Sequence, residues 1–166
     1  GYYRTAHNDL FQGAAMAEFV YNDLGLRSAA AIHDGDPYTE GLDSAFGNSF
    51  EELGGTLTGI TGVAKGDTDM VPVLTELAAG SPEAVFFPIF QPEGDFVADQ
   101  IKGVSGLEDT VLLSADGSLV DGFLALEQST GMYFSGPDTR FGTNKNASTG
   151  KTASEFLDTY SERFGE

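Results

Sequence analysis

The chain reads as an α/β protein with a doubly wound, five-stranded parallel sheet in the order 2-1-3-4-5 and helices on both faces. Two observations carry this. Short apolar runs alternate regularly with amphipathic stretches, the pattern of buried parallel strands joined by helical crossovers. Three of the runs also end alike, each leading into a loop that bears an aromatic or acidic residue: Ala30-Ala31-Ile32-His33-Asp34-Gly35-Asp36-Pro37-Tyr38, Val85-Phe86-Phe87-Pro88-Ile89-Phe90 and Val111-Leu112-Leu113-Ser114-Ala115-Asp116. In a parallel sheet such loops share one edge, where this architecture places ligands, and the stated strand order puts the topological switch beside strand 1.

The elements follow in order. Asp9 is a suitable N-cap for a helix carrying Phe11, Ala14, Ala15, Phe19, Val20 and Leu24 at helical spacing, with Gly25-Leu26 as its stop. Ser28 to Asp34 reads as a buried strand. Leu42, Ala45, Phe46, Phe50 and Leu53 mark a helix that Gly54-Gly55 ends, and Thr56 to Val63 alternates as a strand. Gly66-Asp67-Thr68 opens the next helix, with Pro72 tolerable only in its first turn. Pro88 cuts the third strand short, because it cannot donate to a ladder, and leaves Ile89 and Phe90 in a loop.

Pro92 suits another first turn, before the apolar stripe Phe96, Val97, Ile101 and Val104. Thr110 to Ala115 and Met132 to Ser135 are strands four and five, separated by a short helix with Leu119, Val120, Phe123 and Leu124. Pro137 to Gly150 is a polar loop, and Thr152 with Glu155 forms a capping box before Phe156, Leu157, Tyr160 and Phe164. No internal repeat or second core is visible, so residues 1–166 read as one α/β lobe.

Composition removes several classes of function. With 26 acidic against 8 basic residues the formal charge is −18, which repels nucleic acid and anionic lipid. Zero cysteines exclude disulfides and thiol chemistry. A chain of 166 residues buries roughly 70% of its unfolded surface without metal or cross-link. No run approaches the roughly 18 apolar residues of a membrane span. Beginning Gly1-Tyr2-Tyr3-Arg4, the sequence is expected to be an excised piece of a longer protein.

Motifs for catalysis fail on inspection. Gly150-Lys151-Thr152 imitates the end of a phosphate loop, but Lys145 stands where its first glycine is required. Asp34-Gly35-Asp36 imitates a calcium loop, but Thr39 and Ala45 occupy its glycine and bidentate-glutamate positions. Gly47-Asn48-Ser49-Phe50-Glu51 lacks the second glycine of a nucleophile elbow. His7 and His33 have no partner signature. We therefore expect no catalytic residue, no metal ligand and no cofactor. Tyr38, Phe90 and Asp116 remain: a carboxylate for an ammonium group and aromatic walls to enclose it, the requirements of a small zwitterion.

At these residues the chain resembles the type I periplasmic binding proteins, in particular the branched-chain amino acid receptors of ABC transporters. Tyr3-Arg4-Thr5 with Asp9 and Gln12-Gly13 is similar to the opening of that family's second lobe, and Ile32-His33-Asp34 with Tyr38 and Glu40-Gly41-Leu42 to its first strand-loop-helix. Gly66-Asp67-Thr68-Asp69 matches the next helix start, and Phe156, Tyr160 and Phe164-Gly165 the late helix. The resemblance implies the second lobe of a two-lobed receptor whose partner lobe lies outside this chain. It implies a non-enzyme of the periplasm or cell exterior, with a lipid-anchored precursor as one variant, that passes an amino acid or similar solute to permease subunits. Tyr38, Phe90 and Asp116 would be ligand contacts, Asp116 taking the α-ammonium. Thr39 departs from the family's glycine, Phe90 lacks a tyrosine's hydroxyl, and Asp116 is one methylene shorter than the glutamate of leucine-binding members. Two other outputs suit the same edge: a sensory ectodomain and a flavodoxin-like enzyme.

Overall fold

A computed structural model describes residues 7–137, 145–146 and 148–165. The Tyr3-Arg4-Thr5 motif and most of the polar loop after Pro137 lie outside them. The chain divides into two units, Gly1–Gly136 and Pro137–Glu166.

The first unit contains the sheet. Its elements are α1 (Asp9–Glu18), a π-helical turn (Phe19–Asp23), β1 (Ser28–His33), α2 (Pro37–Glu52), β2 (Thr56–Gly62), α3 (Val71–Ala78), β3 (Ala84–Phe86), α4 (Glu93–Ile101), β4 (Val111–Ala115), α5 (Asp121–Leu124) and β5 (Tyr133–Ser135), with single 3-10 turns at Asp116–Ser118 and Glu127–Ser129. All strand pairs are parallel, in the order β2-β1-β3-β4-β5. Strand alternation divides the core into two layers. Ala29, Ala31, Ala84, Phe86, Leu113 and Ala115 face Met16 of α1, Val20 of the π-helical turn, and Leu42, Phe46 and Phe50 of α2. Ala30, Ile32, Val85, Phe87 and Leu112 face Leu74, Leu77, Val97 and Ile101 of α3 and α4. The connections after β1 and β3, neighbours in the sheet, thus leave to opposite faces and open a crevice between them.

The apolar stripe expected for the first helix is rotated. Asn8 rather than Asp9 is the N-cap, its side chain accepting from Phe11 N, and the buried residues of α1 are Gln12, Gly13, Met16 and Ala17. Phe11 is 72% exposed. The cause is Gly13: a Cβ there would lie 2.6 Å from Ala45 Cβ, 2.8 Å from Phe46 N and 2.9 Å from the Leu42 carbonyl oxygen. The helices touch backbone to backbone at this point, and that contact outweighs the burial of one phenylalanine at the helix end.

Other departures are local. The third helix starts at Val71, not at Gly66-Asp67-Thr68, because Asp67 accepts from Ala64 N at 2.9 Å and closes a separate turn, with Gly66 at φ +93°. Pro72 does occupy the first turn of α3. The expected helix over Leu119–Leu124 shortens to Asp121–Leu124, since Val120 is extended, and only Phe123 of its apolar residues is buried. The second unit carries α6 (Ala153–Phe164), with the capping box of Thr152 and Glu155 as expected and Gly165 closing it at φ 76°. Phe156, Tyr160 and Phe164 form a ladder on α6, with ring centroids 6.3 and 4.7 Å apart. No helix among the described residues is long and apolar enough to cross a membrane.

Asp43 of α2 is fully buried, and among the described residues neither carboxyl oxygen has a hydrogen-bond partner. Burial, with the nearby Asp34 and Glu40 carboxylates adding to it, pushes its carboxyl up to about 9. The folded chain therefore holds a proton that the unfolded chain releases near pH 4, so stability is complete below that value and falls as pH rises toward about 9. Asp43→Asn cannot titrate, and its melting temperature should exceed the parent's by a margin that widens between about pH 5 and about pH 9. Parallel melting curves for the two proteins across that range would contradict the assignment.

A methyl group at Gly13 must push apart two backbones. Gly13→Ala should lower stability by about 1–3 kcal/mol in urea unfolding, although Ala is the better helix former by about 1 kcal/mol. A net gain in stability would show that the interhelical contact is looser than described.

Candidate functional site

The site is built from three loops at the carboxyl edge of the sheet and one helix beside it. After β1 the chain turns through Asp34-Gly35-Asp36. Asp34 Oδ1 accepts from Asp36 N at 3.1 Å and from the Thr39 hydroxyl at 2.7 Å, and Asp36 caps α2 by accepting from Tyr38 N at 3.0 Å. Thr39 is fully buried. A hydroxyl at this position does what a glycine could not, tying the first turn of α2 back to the loop and fixing where Tyr38 stands.

Past β3, Ile89 is buried and Phe90 is 44% exposed. The Phe90 ring rests on Gly117, where a Cβ would come within 2.6 Å of ring atom Cε1. Below it, Ser114 donates to the Phe87 carbonyl at 2.8 Å, and the Ser118 hydroxyl lies 2.8 Å from Ser114 Oγ and 3.1 Å from the Ile89 carbonyl oxygen. These buried hydroxyls bind the β3 loop to the 3-10 turn that carries Asp116, so Phe90 and Asp116 are held as one piece.

Tyr38, Phe90 and Asp116, distant in sequence, come together here. The Tyr38 hydroxyl donates to Asp116 Oδ1 at 3.1 Å, and the Tyr38 and Phe90 rings lie 5.7 Å apart at 33°. Burial pushes the Tyr38 phenol well above its ordinary value, with the Asp116 carboxylate and its hydrogen bond adding to the shift. The phenol thus stays a neutral donor. His33 stands apart from this cluster, 3.9 Å from Glu40, and Lys65 is paired with Asp36 at 3.5 Å on the surface. Among the described residues no group of histidine, aspartate and glutamate side chains could hold a metal ion.

The sequence reading missed Gln12 as part of this cluster. Its side chain, 5% exposed, donates to Asp116 Oδ1 at 2.6 Å and to the Ser135 carbonyl at 3.0 Å, while its Oε1 lies 2.8 Å from His7 Nε2. A signal was present: phasing the first helix on Gly13 instead of Phe11 places Gln12 on the buried face. Chemically, the arrangement presents a hydrogen-bonded carboxylate flanked by two aromatic rings. It has the parts to accept a cationic or ammonium group at an apolar rim, and no side chain in it is set up as an activated nucleophile.

No protein-family model matches the chain. It is similar to a Leu/Ile/Val-binding protein homolog of Brucella melitensis, 28% identical over 131 residues that make up 74% of this chain and 36% of the relative. Among solved structures, the leucine binding protein LivK of Thermotoga maritima superposes with a TM-score of 0.70 at 29% identity, covering 98% of this chain and 45% of that one. A type 1 periplasmic binding protein of Bordetella pertussis gives a TM-score of 0.72 at 16% identity, over 95% of this chain and 40% of that one, a likeness of fold alone. The chain spans less than half the length of these proteins. A five-stranded sheet in this order, with the sequence likeness beside it, gives the chain the fold of the type I periplasmic binding proteins and relates it to the branched-chain amino acid receptors among them.

Proposed function

We propose that the chain is the second lobe of an extracytoplasmic solute-binding protein, capturing an amino acid of the branched-chain type or a similar small molecule and delivering it to ABC transporter permease subunits. The observation that carries this reading is the meeting of Asp116 with Tyr38 and Phe90 at the switch-point edge. A carboxylate already held by two donors, bordered by aromatic surface, is suited to an α-ammonium group: its orientation costs nothing at the moment of binding, and the rings exclude water and add cation–π attraction. The likeness to a Leu/Ile/Val-binding protein homolog and to a leucine binding protein supports the same class of ligand.

Function in this reading is differential binding without chemistry on the solute. The ligand bridges this edge and a facing lobe, and the closed form is favoured by the contacts it adds. The permease recognises that closed form. The share of the related proteins that this chain spans supports a partner lobe elsewhere in the full-length protein.

In the full-length protein, thermal-shift screening against the amino acids should find one or more that raise the melting temperature, by an amount equivalent to about 2.7 kcal/mol at one hundred times Kd. Asp116→Ala should abolish the shift, since removing one partner of a buried charged contact costs about 2–5 kcal/mol. An undiminished shift in Asp116→Ala would remove the ammonium role. The chain by itself holds half of the binding groups and should show only weak heats in calorimetric titration with the same amino acids. Tight binding by residues 1–166 alone would contradict the two-lobed reading.

A further inference from the structure

We infer that Gln12 is a positioning residue for the Asp116 carboxylate, and that its amide sets which oxygen of Asp116 is presented to the ligand. The inference rests on the reading of Asp116 as the ammonium acceptor. Gln12 reaches the site from α1, a different element from the three loops that carry Tyr38, Phe90 and Asp116. Its position is imposed by the Gly13 contact one residue on, which turns this face of α1 inward.

The amide orientation follows from its neighbours. Asp116 Oδ1 and the Ser135 carbonyl oxygen, at 2.6 and 3.0 Å, are both acceptors. Only the NH2 end can face them, so the carbonyl end faces His7, which donates from Nε2 at 2.8 Å. Both amide hydrogens and the carbonyl oxygen of Gln12 are then used, in a side chain too buried to exchange them for water. Tyr38 donates to the same Oδ1 at 3.1 Å. Two donors on one oxygen pin the carboxylate's rotation and leave Oδ2 as the oxygen with no donor among the described residues. Gln12 also ties the β4 loop to the end of β5, so the amide holds the position of Asp116 as well as its rotation.

A glutamine here has a property that a carboxylate lacks: it donates twice at every pH. In a Gln12→Glu variant the introduced carboxyl group would face two acceptors and would have to carry a proton to replace even one of those bonds. Among the described residues, the ionisable groups around this point are His7 and Asp9 from the α1 side, Tyr38 from α2 and Asp116 from the β4 loop, and none of these supplies a fixed positive charge to offset a second carboxylate.

The test uses the full-length protein with L-leucine as probe. Gln12→Leu should weaken binding by about 10- to 100-fold, the loss expected for a hydrogen bond to a charged group. Gln12→Glu should approach the parent's affinity near pH 4.5 and fall progressively behind it toward about pH 8, so that the ratio of the two affinities rises with pH. A pH-independent ratio, or a Gln12→Leu variant that binds as the parent does while Asp116→Ala fails to bind, overturns the positioning role and leaves Asp116 its function. Unchanged binding in Asp116→Ala, or no leucine binding by the parent, overturns the underlying reading and this inference with it. In residues 1–166 alone, without ligand, the Gln12 side-chain amide protons should exchange slowly and their resonances should shift in Asp116→Ala. Exchange as fast as that of a free glutamine would refute the hydrogen bonding of Gln12 to Asp116 and Ser135.

Discussion

The arrangement depends on the close approach of α1 to α2 at Gly13. Without a side chain at that position, the two backbones come near enough for the Leu42 carbonyl and the Phe46 amide to lie within 3 Å of where a Cβ would be. This contact decides the rotation of α1. It sends Phe11 outward and Gln12 inward. From Gln12 the consequence runs to Asp116 and, through the shared oxygen, to Tyr38 of α2. A packing constraint between two helices therefore determines the hydrogen bonding of a carboxylate at the edge of the sheet.

The loops at that edge are specified by small polar residues instead of by apolar burial. Thr39 ties the first turn of α2 to Asp34, and Ser114 and Ser118 join the β3 and β4 loops beneath Phe90 and Asp116. Each is buried, and each meets a backbone or carboxylate acceptor that would otherwise go unpaired at a cost comparable to a lost hydrogen bond. Gly117 completes the arrangement by leaving room for the Phe90 ring. Such contacts hold geometry tightly while burying little area, so the rim that carries Phe90 and Asp116 stays partly exposed.

Charge acts differently in the interior and at the rim. The −18 formal charge is spread mostly over solvated side chains. Asp43, in contrast, is sealed within the α1–α2 layer and keeps its proton because burial penalises the anion. Asp116, half-buried at the rim, instead has an amide and a phenol donating to it. Asp43 is thus neutral by desolvation, whereas the half-buried Asp116 is hydrogen-bonded by protein groups at the rim.

The strand order, the two-layered core and the carboxyl-edge location of Tyr38, Phe90 and Asp116 were legible from the amino-acid sequence, because they follow from local signals: apolar run length, helical period, proline and glycine punctuation, and the rule that parallel strands end on one side. Even the α6 capping box was readable, since all its members lie within one turn. What the sequence could not settle were contacts between elements far apart in the chain. The rotation of α1 is not readable from periodicity, which weighs a phenylalanine above a glycine, whereas the interior rewards the absence of a side chain where two helices must touch. Gln12 belongs to the site for that reason alone, 104 residues from Asp116. Local chemistry wrote the elements and their order, and tertiary close packing chose which face each element shows, because steric exclusion between distant segments has no expression until they meet.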